Sequence, residues 1–191
     1  MLLALRSLVV SVLFVALWAW IASTVRVYDA RLPLAIPEAL RPLGAVLVLL
    51  GACLAIACIV TFAARGRGTP APFDPPRELV AAGPYRVVRN PMYLAAAAAI
   101  AGAGIFLRSP AIALLALVFL LVFHLFVLLY EEPALRRGFG ESYVRYSGTV
   151  NRWMPRLRPR TLVLLLLVGA GLFLLAGFLL GSPGTYLDDT F

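Results

Sequence analysis

"MYLAAAAAIAGAGIFLRSPAIALLALVFLLVFHLFVLLYEE", Met92 to Glu132, is the stretch whose reading decides the fold of this chain. It holds two apolar runs, 92–107 and 111–130, parted by Arg108-Ser109-Pro110. A bilayer-spanning helix needs about 20 residues, within a range of about 17 to 25. The second run has that length; the first is shorter and rich in alanine and glycine. So tight a break predicts a helical hairpin, and the small side chains of its first arm let that backbone approach its neighbours closely.

Working outward, three more apolar runs at 7–24, 43–64 and 161–181 have spanning length. The expectation is an all-α fold: a polytopic membrane helical bundle of about five transmembrane helices. It reads as one membrane domain, 1–191. Residues 1–64 form two N-terminal spans, 83–157 a core, and 161–181 a last span. Composition agrees. Hydrophobic residues make up 62% and charged residues 14%, with mean hydropathy +0.95, which lies outside the range of soluble domains.

All 17 basic residues are arginine, and the formal net charge is +8. Such a charge can signal nucleic acid. Here the arginines cluster between the apolar runs, where they report topology and contact with anionic lipid headgroups, so no nucleic-acid partner is expected. The loop 65–90 carries Arg65, Arg67, Arg77, Arg86 and Arg89. The segment 131–160 carries Arg136, Arg137, Arg145, Arg152, Arg156, Arg158 and Arg160. Both are therefore expected on the cytoplasmic side. The loop 25–42 is diluted by Asp29 and Glu38, and the tail carries Asp188 and Asp189. That places the N-terminus inside and the C-terminus outside, with a bacterial cytoplasmic membrane as the expected home. The first run is long and no small-residue cleavage site follows it, so it reads as an anchor rather than a signal peptide.

Within 131–160, Phe139, Tyr143, Tyr146 and Val150 recur at helical spacing opposite Arg137, Glu141 and Arg145. This predicts an amphipathic helix on the cytoplasmic membrane surface, with Trp153 as an interfacial anchor. Cys53 and Cys58 share one apolar run and read as two small lipid-compatible side chains; no disulfide framework and no metal site is expected.

Two polar clusters abut the hairpin. Arg89-Asn90-Pro91-Met92-Tyr93 opens its first arm, and Glu131-Glu132 closes its second. A hairpin brings them to one side of the bilayer. Pro91 is ordinary helix-start chemistry, and Tyr85 and Tyr93 suit an aromatic belt. The adjacent carboxylates are harder to account for. They gain nothing from topology and oppose the dipole at a helix C-terminus. Arg86 or Arg89 is their natural partner, either in a purely structural ion pair or in a site. His124, the sole histidine, lies seven residues before Glu131 and so projects from nearly the same face two turns deeper.

Taken together, "GPYRVVRNPMYL" and "YEEPALRRGFGESYVRYSGTVNRWMP" resemble the isoprenylcysteine carboxyl methyltransferase and phospholipid methyltransferase superfamily of integral membrane enzymes. The matching residues are Arg89, Asn90, Pro91 and Tyr93, then Glu131 and Glu132, then Phe139, Gly140, Tyr143, Tyr146, Arg152 and Pro155. The resemblance implies that S-adenosylmethionine binds at the cytoplasmic face. It also implies a lipophilic acceptor, either prenylcysteine carboxylate-like or a lipid, that arrives sideways from the membrane. Carried over, the cofactor-binding residues are Tyr85, Arg89, Asn90, Tyr93, Glu131, Glu132, Tyr143, Tyr146 and Arg152. Glu131 and His124 are the candidates for a catalytic base, needed for an amine or hydroxyl acceptor and not for a carboxylate.

Two departures stand out. Asn90 occupies the position of the usual histidine and cannot act as an acid or base near neutral pH. Leu128, Leu129 and Tyr130 stand where prenylcysteine-type members tend to carry an arginine, which argues against a carboxylate acceptor. Two other readings fit part of the pattern: an NADPH-dependent membrane reductase of the sterol-reductase type, and a non-catalytic membrane scaffold using the Arg–Glu pair structurally.

Overall fold

The computed structural model describes residues 2–65 and 78–156. The chain divides into two units, Met1–Pro155 and Arg156–Phe191, and every element below belongs to the first. The apolar run at 161–181 lies outside the described residues.

Every regular element among the described residues is helical. α1 spans Leu2–Val25 and runs into a 3-10 segment, Arg26–Arg31; α2 spans Arg41–Arg65, α3 Pro91–Phe106, α4 Pro110–Phe126 and α5 Glu132–Thr149. Three segments are long and apolar enough to cross a membrane: Val12–Arg31, Glu38–Arg65 and Pro110–Thr149; α3 is apolar but shorter. The all-α membrane bundle expected from the sequence is therefore present. The predicted hairpin is α3–α4.

The lipid-facing surface is apolar, with Leu117, Leu121 and Leu129 on α4 and its extension all strongly exposed. Helices in such a setting associate through close packing, since burial from lipid brings no hydrophobic gain. Glycine supplies the closeness between antiparallel α2 and α3. A Cβ on Gly102 would sit 2.7 Å from the Gly44 carbonyl oxygen and from the Val48 nitrogen. Both obstacles are backbone, so only a glycine fits.

The turn between α3 and α4 is held from outside the hairpin. Ser109 caps α4 by accepting from the Ile112 amide at 3.3 Å. Asp29 accepts from the Ser109 hydroxyl and from the Ala111 amide, each at 2.9 Å. A carboxylate at a helix N-terminus answers its orphan N–H groups and its dipole. Arg108 takes a left-handed φ of 56° and reaches the Ile36 carbonyl at 3.2 Å and Glu38 at 3.6 Å. The 26–41 connection and the α3–α4 turn thus share one end of the bundle. At the other end, Phe62 and Cys58 of α2 pack on Tyr85 ahead of α3.

Two details lie beyond the sequence reading. α4 continues through a π-helical turn, Val127–Glu131, directly into α5. Gly140 then breaks α5 with φ 49° and ψ −127°, which sets the helix carrying Tyr143 and Tyr146 apart from α4. That backbone conformation is open to glycine and strained for other residues. Beyond the break the predicted faces hold: Tyr143 is buried while Glu141 and Arg145 are exposed. Cys58 is fully buried against protein rather than lipid, packed with Val80 and Tyr85.

Candidate active site

Three segments distant in sequence converge at the end of the bundle opposite the α3–α4 turn: 83–93, 123–132 and 143–153. Local chemistry sets up the first. Gly83–Arg86 forms a 3-10 turn, and Pro91, whose ring is pre-set for helix, begins α3. The Arg89 amide donates to the Asn151 carbonyl at 2.9 Å, and the Asn90 side-chain amide donates to the Arg152 carbonyl at 3.2 Å. These bonds lay residues 151–153 across the start of α3. The Tyr146 hydroxyl donates to the Tyr85 carbonyl at 2.7 Å, pinning the second half of α5 to the same loop.

The two adjacent glutamates have separate partners. Arg152 grips Glu132 in a bidentate pair, Nε to Oε1 at 2.7 Å and a terminal nitrogen to Oε2 at 2.9 Å. The planar fork of guanidinium matches a carboxylate in this way. Arg89 adds a second positive charge 3.2 Å from Oε1 and also reaches the Tyr143 hydroxyl at 3.4 Å. Glu132 thus ties α3, α5 and the 151–153 segment together. Its hydrogen bonds to Glu132 push the Arg152 guanidinium further above its already high range. Among the described residues, the Arg89 Nε is buried with no hydrogen-bond partner. A donor left in that state costs free energy unless something fills its valence.

Glu131 faces elsewhere. Its Oε2 accepts from the Tyr93 hydroxyl at 2.9 Å. The Tyr93 ring stacks on Phe123, with centroids 4.5 Å apart and planes 24° apart, and continues through Phe119 to Trp18 of α1. Trp153 lies against the same cluster, its ring 6.4 Å from that of Tyr93.

The structure therefore brings together Arg89, Asn90, Tyr93, Glu131, Glu132, Tyr143 and Arg152. Tyr146 and Tyr85 support them from one side. The Tyr85 ring points to Cys58 and Phe62, and burial, reinforced by Cys58 and Glu131, pushes its hydroxyl well above the usual phenol range. Arg86 is exposed, and Arg89 is the arginine that meets the carboxylates. His124 is near but does not share the face of Glu131. The π turn widens the helix by one residue, and the imidazole instead accepts from the Trp153 indole at 2.9 Å. Trp153, expected as a surface anchor, is thus a wall of the cluster. So is Phe123, which the sequence marks only by its i, i+4 spacing from Phe119.

A family model of phospholipid methyltransferases matches residues 40–142, just over half of the chain. It takes in α2, the hairpin and both polar clusters. The chain belongs to the phospholipid methyltransferase family. No curated protein and no solved structure matches it. The family is one of membrane methyltransferases, and the long apolar helices make this member an integral membrane protein.

Proposed function

We propose that this phospholipid methyltransferase family member transfers a methyl group from S-adenosylmethionine to a membrane-embedded lipid acceptor. The transfer takes place at the cytoplasmic face of the membrane, which we take to be a bacterial inner membrane. The observation that carries the reading is the pairing of Tyr93 with Glu131 beside the Arg89–Glu132–Arg152 cluster, all at one end of an otherwise apolar bundle.

The donor set suits the cofactor. Its carboxylate calls for cationic donors, and Arg89 has a buried Nε without a partner. Its ammonium calls for acceptors. Glu132 is already engaged by two guanidinium groups, which leaves Glu131 and the Asn90 Oδ1 for that part. Tyr93 and its aromatic neighbours present ring faces that suit a sulfonium. When bound, S-adenosylmethionine supplies an electrophilic methyl group.

The protein's own contribution is mainly positioning. Holding reacting partners in line at about 3 to 3.5 Å can supply roughly 7–11 kcal/mol. The Glu132 cluster fixes the 151–153 segment over the start of α3, and the hydrogen bond from Tyr93 orients Glu131. If the acceptor nitrogen or oxygen carries a proton, Glu131 is the group placed to receive it. The missing arginine at Leu128–Tyr130 favours such an acceptor over a carboxylate.

The test is incubation of the purified protein in bilayers with methyl-labelled S-adenosylmethionine, followed by lipid extraction. Label in the lipid fraction is expected. Label in no fraction, with no retained cofactor, removes the reading, and retained NADPH would favour the reductase alternative. Orientation is tested separately. Cysteines introduced at Tyr28 and Arg145 should react with an impermeant reagent from opposite sides, Arg145 from the cytoplasm; labelling from one side would overturn it.

A further inference from the structure

His124 is the chain's single histidine and sits inside the membrane-spanning part of α4. An ionisable residue at such a place usually has a partner or a task. Here the partner is defined: the Trp153 Nε1–H points at His124 Nδ1, 2.9 Å away, with ring centroids 6.0 Å apart. An indole N–H can only donate. The imidazole nitrogen facing it must therefore carry a lone pair. In a neutral imidazole the proton then sits on the other nitrogen, Nε2. Protonation of Nδ1 would set two N–H groups against each other and break the bond.

His124 is itself half-buried, at the surface of the bundle. The helical neighbours of His124 at i−3, i+1 and i+4 are Leu121, Leu125 and Leu128, all exposed on the lipid-facing surface. On its inner side Trp153 packs against Tyr93, which bonds to Glu131. His124 thus stands at the seam between the acyl-chain region and the polar cluster, where a lipid entering sideways would pass its headgroup.

We propose that Trp153 is a positioning residue that holds His124 as the neutral Nε2–H tautomer, so that His124 serves as a hydrogen-bond donor to an ester or phosphate oxygen of the acceptor lipid and not as its base. The role toward the lipid rests on the methyl-transfer reading; the tautomer does not. It leaves Glu131 as the proton acceptor: the N–H or O–H bond of the acceptor breaks, an O–H bond forms on the carboxylate, and the lone pair stays with the acceptor atom.

The single histidine makes the test direct. The full chain, purified through a histidine-free tag and labelled with 15N-histidine, gives the nitrogen signals of one imidazole. The expected result is an unprotonated Nδ1 and a protonated Nε2. Trp153→Phe, which keeps the ring and removes the donor, should move both signals toward an average of the two tautomers. A proton on Nδ1 in the unaltered protein, or signals unmoved by Trp153→Phe, overturns the proposal. The second arm is turnover. Glutamine keeps a donor but cannot take up a proton, so His124→Gln should slow methyl transfer by less than about tenfold, the worth of one neutral hydrogen bond. Loss of a base costs about a hundredfold or more, and a fall beyond tenfold in His124→Gln counts against the donor role. If no lipid is methylated at all, the functional reading fails while the nitrogen spectra still decide the tautomer.

Discussion

Tyr93 and Glu131, thirty-eight residues apart in the chain, meet through a 2.9 Å hydrogen bond from the tyrosine hydroxyl to the carboxylate. The bond joins the first turn of α3 to the π turn after α4, and so closes the polar end of the hairpin. It also sets Glu131 apart from Glu132, which is held by arginines.

If that bond orients a carboxylate toward the cofactor, removing the hydroxyl alone should be felt in binding. Tyr93→Phe keeps the stack on Phe123. We expect it to weaken S-adenosylmethionine binding by roughly ten- to a hundredfold, the worth of a hydrogen bond to a charged group, and to cost about 1–3 kcal/mol of stability because Glu131 loses its donor. Tyr93→Ala also removes a buried ring and should destabilise by about 3–5 kcal/mol. Calorimetric titration and thermal unfolding separate the two effects; unchanged affinity in both variants would take Tyr93 out of the site.

The Glu132 cluster predicts a different signature. Its side chain is only 10% exposed, and those of its partners Arg89 and Arg152 are 11% and 29% exposed. Glu132→Gln leaves two guanidinium groups without their counter-charge, a loss on the order of 3 kcal/mol. The unfolding midpoint should fall and cofactor affinity should fall with it. A variant as stable as the parent would mean that these ion pairs are not what anchors residues 151–153.

Close approach of α2 and α3 is tested by adding a single methyl group. Gly102→Ala forces a Cβ within 2.7 Å of two backbone atoms of α2 and should cost about 1–3 kcal/mol. Gly138→Ala in α5 is the control. Nothing lies within 4 Å of the added carbon, and alanine is the better helix former by up to about 1 kcal/mol. Equal stabilities for the two variants would contradict the packing described.

Asp29 offers a test at the far end of the bundle. Asp29→Ala removes the acceptor for Ser109 and for the Ala111 amide, and should cost about 1 kcal/mol, as loss of a helix cap does. Cofactor affinity should not change. A loss of affinity would show that the two ends of the hairpin are mechanically coupled.

Much of this was readable before any coordinates. Arg108-Ser109-Pro110 announced the hairpin, Pro91 the start of α3, and the small residues of 92–107 its close approach to neighbouring helices. Each rests on a local rule: how far a helix must run to cross lipid, where proline fits, and how near two backbones can come. The convergence of Arg89, Tyr93 and the glutamates followed from the hairpin alone. What could not be read was which charge meets which. Adjacent glutamates look equivalent on paper. They diverge because the wider π turn rotates Glu131 toward Tyr93, while residues 151–153 fold back to bring Arg152 to Glu132.

The chain's own composition and spacing settle that it is an α-helical membrane protein with a polar patch at one end of a hairpin, because length and polarity along a helix obey the bilayer. The partners of Glu131, Glu132 and His124 were decided only in three dimensions. Each pair joins residues between 20 and 43 positions apart, and no local preference encodes a contact across such a gap. It arises when the whole bundle packs and a buried polar group must be satisfied by whatever the fold has placed beside it.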